Sequence, residues 1–264
     1  MEPKKSTAIV PASEKANAVI TMLEKARPQI ARALPRHLTA DRMLRICTTS
    51  IRRTPALLGC NQQSLLGAIM QAAQLGLEPD GVLGMAYLIP FKEEVQLIVG
   101  FKGLIDLARR SGQLSTIYSR VVYQKDSFEY AYGLAERLEH IPSTEDDPGE
   151  MIAAYAVAKL KDGAQQFEVM TKREINAIRK RSRAAENGPW VTDEAEMWKK
   201  TTLRRLCKML PASVELARAV ALDERADLGL SQNLEDVVDA EIEVKPVNGK
   251  PTLADVVAAE EVKS

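Results

Sequence analysis

Residues Leu75–Gly112 read LGLEPDGVLGMAYLIPFKEEVQLIVGFKGLIDLARRSG, and the punctuation of this stretch decides the fold. Glu78-Pro79-Asp80-Gly81 is a turn signal. Val82 to Phe91 is rich in strand formers, Lys92-Glu93-Glu94 makes a short charged turn, and Val95 to Val99 returns as a second strand. Gly100 and Gly103 then flank Phe101-Lys102, and a helix runs on to Gly112. At about 100° per residue, Leu104, Ile105, Leu107 and Ala108 share one arc, while Lys102, Asp106, Arg109 and Arg110 share the other. A flat hairpin therefore leads into a helix that shows three cations outward. The glycines on either side would let a long ligand approach the backbone.

The same reading extends in both directions. Met1 to Ser13 reads as disordered. Glu14 to Ala33 has helical composition, interrupted by Pro28, which should kink or break it. Thr39 is placed to cap a helix from Ala40 to Arg53 with Met43, Leu44, Ile46 and Ile51 inward. Asn61 caps another from Gln62 to Leu75, closed by Gly76. Downstream, Ser115–Tyr123 and Phe128–Tyr132 read as a strand pair joined at Gln124-Lys125-Asp126. Ser143–Glu150 is a loop, and Met151–Leu160 with Gln165–Met170 forms a hairpin around Lys161-Asp162-Gly163. Thr171 opens a helix to about Ala185, with Glu174 set for a capping box. After the Asn187-Gly188-Pro189 turn come a long helix, Thr192–Met209, and a shorter one, Ser213–Asp223. Helices, antiparallel strands and helices in that order give an α+β fold of hairpins and a small sheet packed with helices. Its expected parts are an N-terminal helical segment (1–33), a core (34–222) and an acidic tail (223–264). Leu228–Gly249 reads as a flexible linker, and Thr252–Asp255 looks like a capping box for a short terminal helix.

The net charge is zero, but it is segregated. From Asp223 onward there are 11 acids and 4 bases, a net of −7, so residues 1–222 carry +7. A basic body with an acidic tail suits a polyanionic partner. Cys47, Cys60 and Cys207 are scattered and read as reduced thiols, which suits the cytoplasm. No apolar run reads as a signal peptide or a membrane span.

Four constellations carry candidate chemistry. Lys102, Arg109 and Arg110 either meet phosphates or form a solvated face, with Asp106 pairing its neighbours. Lys199, Lys200, Arg204, Arg205 and Lys208 form a second basic stripe. No acid lies between Lys199 and Leu210 to neutralise it. Phe128, Tyr130 and Tyr132, with Tyr118 and Tyr123, read as a packed sheet face rather than a platform for bases, and Arg120 is the better nucleic-acid contact there. Lys172, Arg173, Arg179, Lys180, Arg181 and Arg183 either grip phosphates or keep a helix soluble. His37 and His140 fit no metal-ligand spacing, and Gly249-Lys250-Pro251 is not a P-loop, so no metal or nucleotide cofactor is called for. Asp80 with Glu94-Val95-Gln96 is a near miss to a nuclease pattern, with Gln where Lys would stand.

LGLEP, AYLIPF, VQLIVGFKGLIDLARRSG and NGPWVTDEAEMWKKTTLRRL together resemble the RecT family of phage-type single-strand annealing recombinases, over about Leu34 to Leu222. The resemblance implies ATP-independent pairing of complementary DNA strands by a homo-oligomer, ring or filament, through an annealed duplex intermediate. It implies a basic DNA-binding groove enclosed by a hairpin and helices, with FKGLIDLARRSG and EMWKKTTLRRL at the DNA. Lys102, Arg109, Arg110, Arg120, Lys199, Lys200, Arg204 and Arg205 are then the first candidates for DNA contact, and Lys172, Arg173, Arg179, Arg183 and Lys208 the second. Implied partners are a 5′–3′ exonuclease and the host single-stranded-DNA-binding protein. A metal-dependent nuclease and a passive single-strand coating protein are the alternative readings.

Overall fold

The structure, a computed structural model, describes residues 12–79, 82–211 and 213–232. The N-terminal residues, Asp80 and Gly81 of the turn (and with them the nuclease-like Asp80), and the helix expected after Thr252 lie outside the described residues.

Helix α1 (Ala12–Ala33) is followed by α2 (Ala40–Arg53), a 3-10 turn (Pro55–Gly59) and α3 (Gln62–Leu75). Strands β1 (Ala86–Phe91) and β2 (Glu94–Val99) then lead into α4 (Phe101–Arg110). Next come β3 (Leu114–Tyr123), β4 (Ser127–Ala131), β5 (Arg137–Ile141), β6 (Met151–Leu160) and β7 (Gln165–Thr171). Helices α5 (Lys172–Arg181), α6 (Pro189–Thr192), α7 (Glu194–Cys207) and α8 (Val214–Asp227) complete the order. The class is α+β with small antiparallel sheets, as expected from the sequence: a β1–β2 hairpin, a β3–β6–β7 sheet and a β4–β5 hairpin.

Local chemistry sets several boundaries where the residues place them. Thr39 accepts from the Arg42 N–H, Asn61 from that of Gln63, and Thr171 with Glu174 completes a capping box. Gly76 closes α3 at φ 60°, a left-handed position that a side chain resists. Helix α1, in contrast, runs through Pro28 without ending. A proline costs one helical hydrogen bond, and Leu23, Ala26 and Ile30 are buried across this point, so packing outweighs it.

Other expectations change as well. Strands β3 and β4 do not pair: β3 lies against β6, and β4 pairs with β5, a strand the sequence reading did not find. Arg137-Leu138-Glu139-His140-Ile141 is too polar to announce itself. Leu138 packs on the core beneath, and His140 is tied into it. Gly100 and Gly103 do not open a path for a ligand either. A Cβ at Gly100 would lie 2.0 Å from the Gly84 carbonyl oxygen, and one at Gly103 2.1 Å from that of Met85. The chain's own backbone fills that space, pinned by the Gly100 N–H donating to Met85 O at 2.9 Å.

The central sheet is covered on both faces. Ala154 of β6, with Val121 and Met170 beside it, packs against Ile175, Trp190 and Trp198 of the helices. Ala156 and Ala158 share that face by the two-residue period, and their small side chains let α7 come close. On the other face Ala153, Tyr155 and Val157 lie under Tyr118, Phe128, Leu138 and Phe167. Phe128 stacks on Tyr155, with ring centroids 5.7 Å apart. The β4–β5 hairpin is fastened there by His140, whose Nε2 lies 2.9 Å from Asp126 Oδ2 and whose Nδ1 lies 3.2 Å from Tyr155 Oη. Asp126 also accepts from the Tyr123 and Ser143 N–H groups.

The folded unit continues past Leu222 and is bounded near residue 233. Gln232 is buried. Its amide donates to Leu97 O and Leu222 O and accepts from the Leu97 N–H, each at 2.8–2.9 Å. Among the described residues no helix is long and apolar enough to cross a membrane.

Candidate nucleic-acid interface

Helix α4 begins directly after the β1–β2 hairpin, and its Leu104, Leu107 and Ala108 are buried. Lys102 and Arg109 are exposed on the opposite side, and neither makes an ion pair among the described residues. Arg110 departs from the helical-wheel reading. Its guanidinium turns back to donate to Leu75 O and Gly76 O, both at 2.8 Å, and pairs with Asp106. It serves as a cationic cap on the C-terminal carbonyls of α3, where a positive charge is favoured. The wheel assigns it to solvent because a wheel cannot show that a second helix ends within reach.

The stripe on α7 is more thoroughly paired than its sequence suggests. No acid interrupts it in sequence, but the fold supplies acids from three other elements. Lys200 pairs with Asp223 at 2.8 Å. Arg204 is only 7% exposed and bonds Asp223 at 2.8 Å and Asp227 at 2.9 Å. Lys208 pairs with Glu224, Arg205 with Glu168 at 2.7 Å and Glu174 at 3.4 Å, and Lys199 with Glu196. Burial alone would raise the Asp223 carboxyl, but Lys200 and Arg204 beside it hold it below the usual carboxylate range. Burial likewise works against the Arg204 charge, and Asp223 and Asp227 overcome it. Three of the acids counted with the tail, Asp223, Glu224 and Asp227, thus belong to α8 and neutralise α7. From residue 233 onward the net charge is −5 (8 acids, 3 bases), leaving +5 on residues 1–232.

Between the β1–β2 hairpin and α7–α8 lies a cavity of about 580 Å³. Tyr87, Ile89, Ile98, Phe101, Trp190 and Met197 give it apolar and aromatic walls. Arg183, Lys200 and Arg204 line it together with Asp193, Glu196, Asp223 and Asp227, so cations do not outnumber acids there. Arg183 sits 4.1 Å from the Phe91 ring centroid and donates to Gln96 Oε1 at 2.6 Å. Burial lowers its pKa, and Asp227 opposes that. The contacts between Arg183, Phe91 and Gln96 join elements about 90 residues apart, and no local sequence pattern marks them.

The α5 segment divides. Lys172 pairs with Glu150 at 2.7 Å, and Arg179 with Glu194 at 3.0 Å. Arg173, Lys180 and Arg181 are exposed and make no ion pair among the described residues. Arg120 is exposed on β3, over the Tyr118 ring at 5.7 Å. The aromatic face is largely packed, as expected, although Tyr130 and Tyr132 remain 41% and 53% exposed. Among the described residues, the candidate cations still open to an anion are therefore Lys102 and Arg109 on α4, Arg120 on β3 and Arg173 on α5. Among the described residues no group of His, Cys, Asp and Glu is arranged to hold a metal ion.

Comparison with known proteins agrees with the motifs. Residues 41–241 match the model of the RecT family. The chain is 48% identical to Protein RecT of Escherichia coli (strain K12) over 244 residues, covering 89% of this chain and 90% of that one. It is 28% identical to the uncharacterized protein YqaK of Bacillus subtilis (strain 168) over 194 residues, covering 72% and 67%. The chain belongs to the RecT family, whose members bind DNA and anneal single strands in DNA recombination.

Proposed function

We propose that the protein coats single-stranded DNA and pairs it with a complementary strand without ATP, acting as a cytoplasmic homo-oligomer in homologous recombination. It is a binding protein rather than an enzyme that makes or breaks bonds. The observation that carries this reading is the family match over residues 41–241. The exposed Lys102 and Arg109 on the helix after the β1–β2 hairpin add to it. Two bare strands repel through their phosphates. Cations on one strand's backbone release its counterions, supply affinity without sequence preference and leave the bases free to pair. Base pairing then supplies specificity.

In this reading Lys102, Arg109, Arg120 and Arg173 contact phosphates directly. Lys199, Arg205, Lys208, Lys172 and Arg179 contribute by exchanging a carboxylate for a phosphate, which costs them an existing pair, whereas Lys200 is held at the buried Asp223 carboxylate. Arg204 and Arg110 hold the framework, and Arg183 holds the hairpin. A 5′–3′ exonuclease that generates single strands, and the host single-stranded-DNA-binding protein that covers them, are the partners proposed for this activity. The test is an annealing time course with complementary oligonucleotides and no nucleotide. Acceleration beyond the protein-free rate is expected. Binding without acceleration would mean a passive coat, and loss of labelled strand with Mg²⁺ or Mn²⁺ would mean a nuclease.

A further inference from the structure

Most cations around α7 are matched by acids, but α2 is different. At about 100° per residue, Arg45, Arg52 and Arg53 fall within one arc of about 100°, opposite the buried Met43, Cys47 and Ile51. All three arginines are exposed, and none makes an ion pair among the described residues. The neighbouring acids are already engaged: Asp41 by Arg27, and Glu78 by Arg42. From Arg45 to Arg53 the row runs about 12 Å along the helix. With no acid paired to them among the described residues, the three guanidinium groups leave an unbalanced positive field on this face. Arg52 and Arg53 gain from the dipole at the helix C-terminus, but Arg45, in mid-helix, does not. Guanidinium is also the cation best shaped for phosphate oxygens. No aromatic side chain occurs in α2, so the face can grip a backbone but offers nothing for a base to stack on.

We propose that the outer face of α2 is a second phosphate-binding surface, on a different helix from Lys102 and Arg109, which captures the backbone of the incoming complementary strand. This rests on the strand-annealing reading above. A row of about 12 Å matches on the order of three phosphates of a stacked strand. Holding that strand by its phosphates alone leaves every base free to find its partner.

The test uses the full chain carrying Arg45→Gln, Arg52→Gln and Arg53→Gln together, with the Arg45→Lys, Arg52→Lys, Arg53→Lys variant as control. Anisotropy measures binding of a labelled first strand, and stopped-flow mixing of the loaded protein with the complement measures annealing against salt. First-strand affinity should stay within about twofold. The annealing rate at low salt should fall about tenfold, and its log–log salt slope should become shallower by about 2 units, since each single-strand phosphate contact contributes about 0.7. The lysine variant should recover most of the rate. Three results would overturn the proposal: wild-type rate and slope in the glutamine variant; first-strand affinity falling in step with the annealing rate; or a lysine variant as impaired as the glutamine one, with both melting early, which would mean a structural role. A wild-type protein that binds strands without accelerating annealing would sink the functional reading, and this surface with it.

Discussion

Arg204 on α7 and Asp223 on α8 are ion-paired at 2.8 Å with both side chains less than a tenth exposed. Lys200 shares the same carboxylate, and Asp227 shares the same guanidinium. Two cations from the helix that resembles a DNA-contacting motif are thereby built into the interface between two helices.

Asp223→Ala should therefore unfold the core more readily, leaving Arg204 and Lys200 without their shared partner. Removing one member of a buried pair costs about 3–5 kcal/mol. Equilibrium denaturation should show a loss of that size, whereas a loss below about 1 kcal/mol would show that water replaces the carboxylate easily.

Acid should act through the same group. Asp223 and Asp126 both titrate below the ordinary carboxylate range when folded, burial being outweighed by Lys200 and Arg204 in one case and by the Ser143 and Tyr123 N–H groups with His140 in the other. A depressed folded pKa gives stability that is complete above the unfolded value of about 3.9 and is lost as pH falls through the folded one. Stability measured from pH 7 downward should lose these two contributions only below about pH 4. Asp223→Asn should flatten that part of the curve; an unaltered acid limb would contradict the assignment.

Arg109 and Arg110 are adjacent but should behave oppositely. Arg109→Ala should leave the melting temperature unchanged and weaken single-strand binding. Arg110→Ala removes charged hydrogen bonds to Leu75 O and Gly76 O, a loss of about 1.5–3 kcal/mol. Melting and binding curves for the two variants settle the matter, and a stable Arg110→Ala protein would refute the cap.

Gly100→Ala, at the N-cap of α4, should destabilise. Its Cβ would meet the Gly84 carbonyl oxygen at 2.0 Å, so the backbone must move. Overpacking of this kind costs about 1–3 kcal/mol. An alanine variant with wild-type denaturation would show that the lead-in to β1 yields freely.

The end of the folded unit can be located by truncation. A chain ending at Gln232 should keep wild-type stability, while one ending at Asp227 loses the Gln232 bonds to Leu97 and Leu222 and the Gln96 amide's bond to Leu230 O. These four neutral hydrogen bonds at about 1 kcal/mol each, with the Gln71 amide's bond to Gln232 O and the Arg225 bonds to Ser231 O also lost, put the difference at about 4 kcal/mol or more. Equal midpoints for the two truncations would argue that the 228–232 segment only rests on the hairpin.

The sequence by itself determined the local elements. Caps at Thr39, Asn61 and Thr171, the glycine stop at Gly76, the β1–β2 and β6–β7 hairpins and the α+β class all depend on residues within a few positions of one another. Their energetics are settled by neighbours in the chain. The family was legible for the same reason, since its motifs are contiguous. Tertiary structure alone decided which charges are free. Lys200 and Arg204 of the α7 stripe are partnered by acids 19 to 23 residues onward in α8, and Arg110 by carbonyls 34 and 35 residues back. It also decided that β3 joins β6 instead of β4, and that polar β5 exists at all. A helical wheel and a charge count treat each segment in water. A cation's availability to a phosphate depends on which carboxylate or carbonyl the fold brings within 3 Å of it, and that distance is set only when the chain packs.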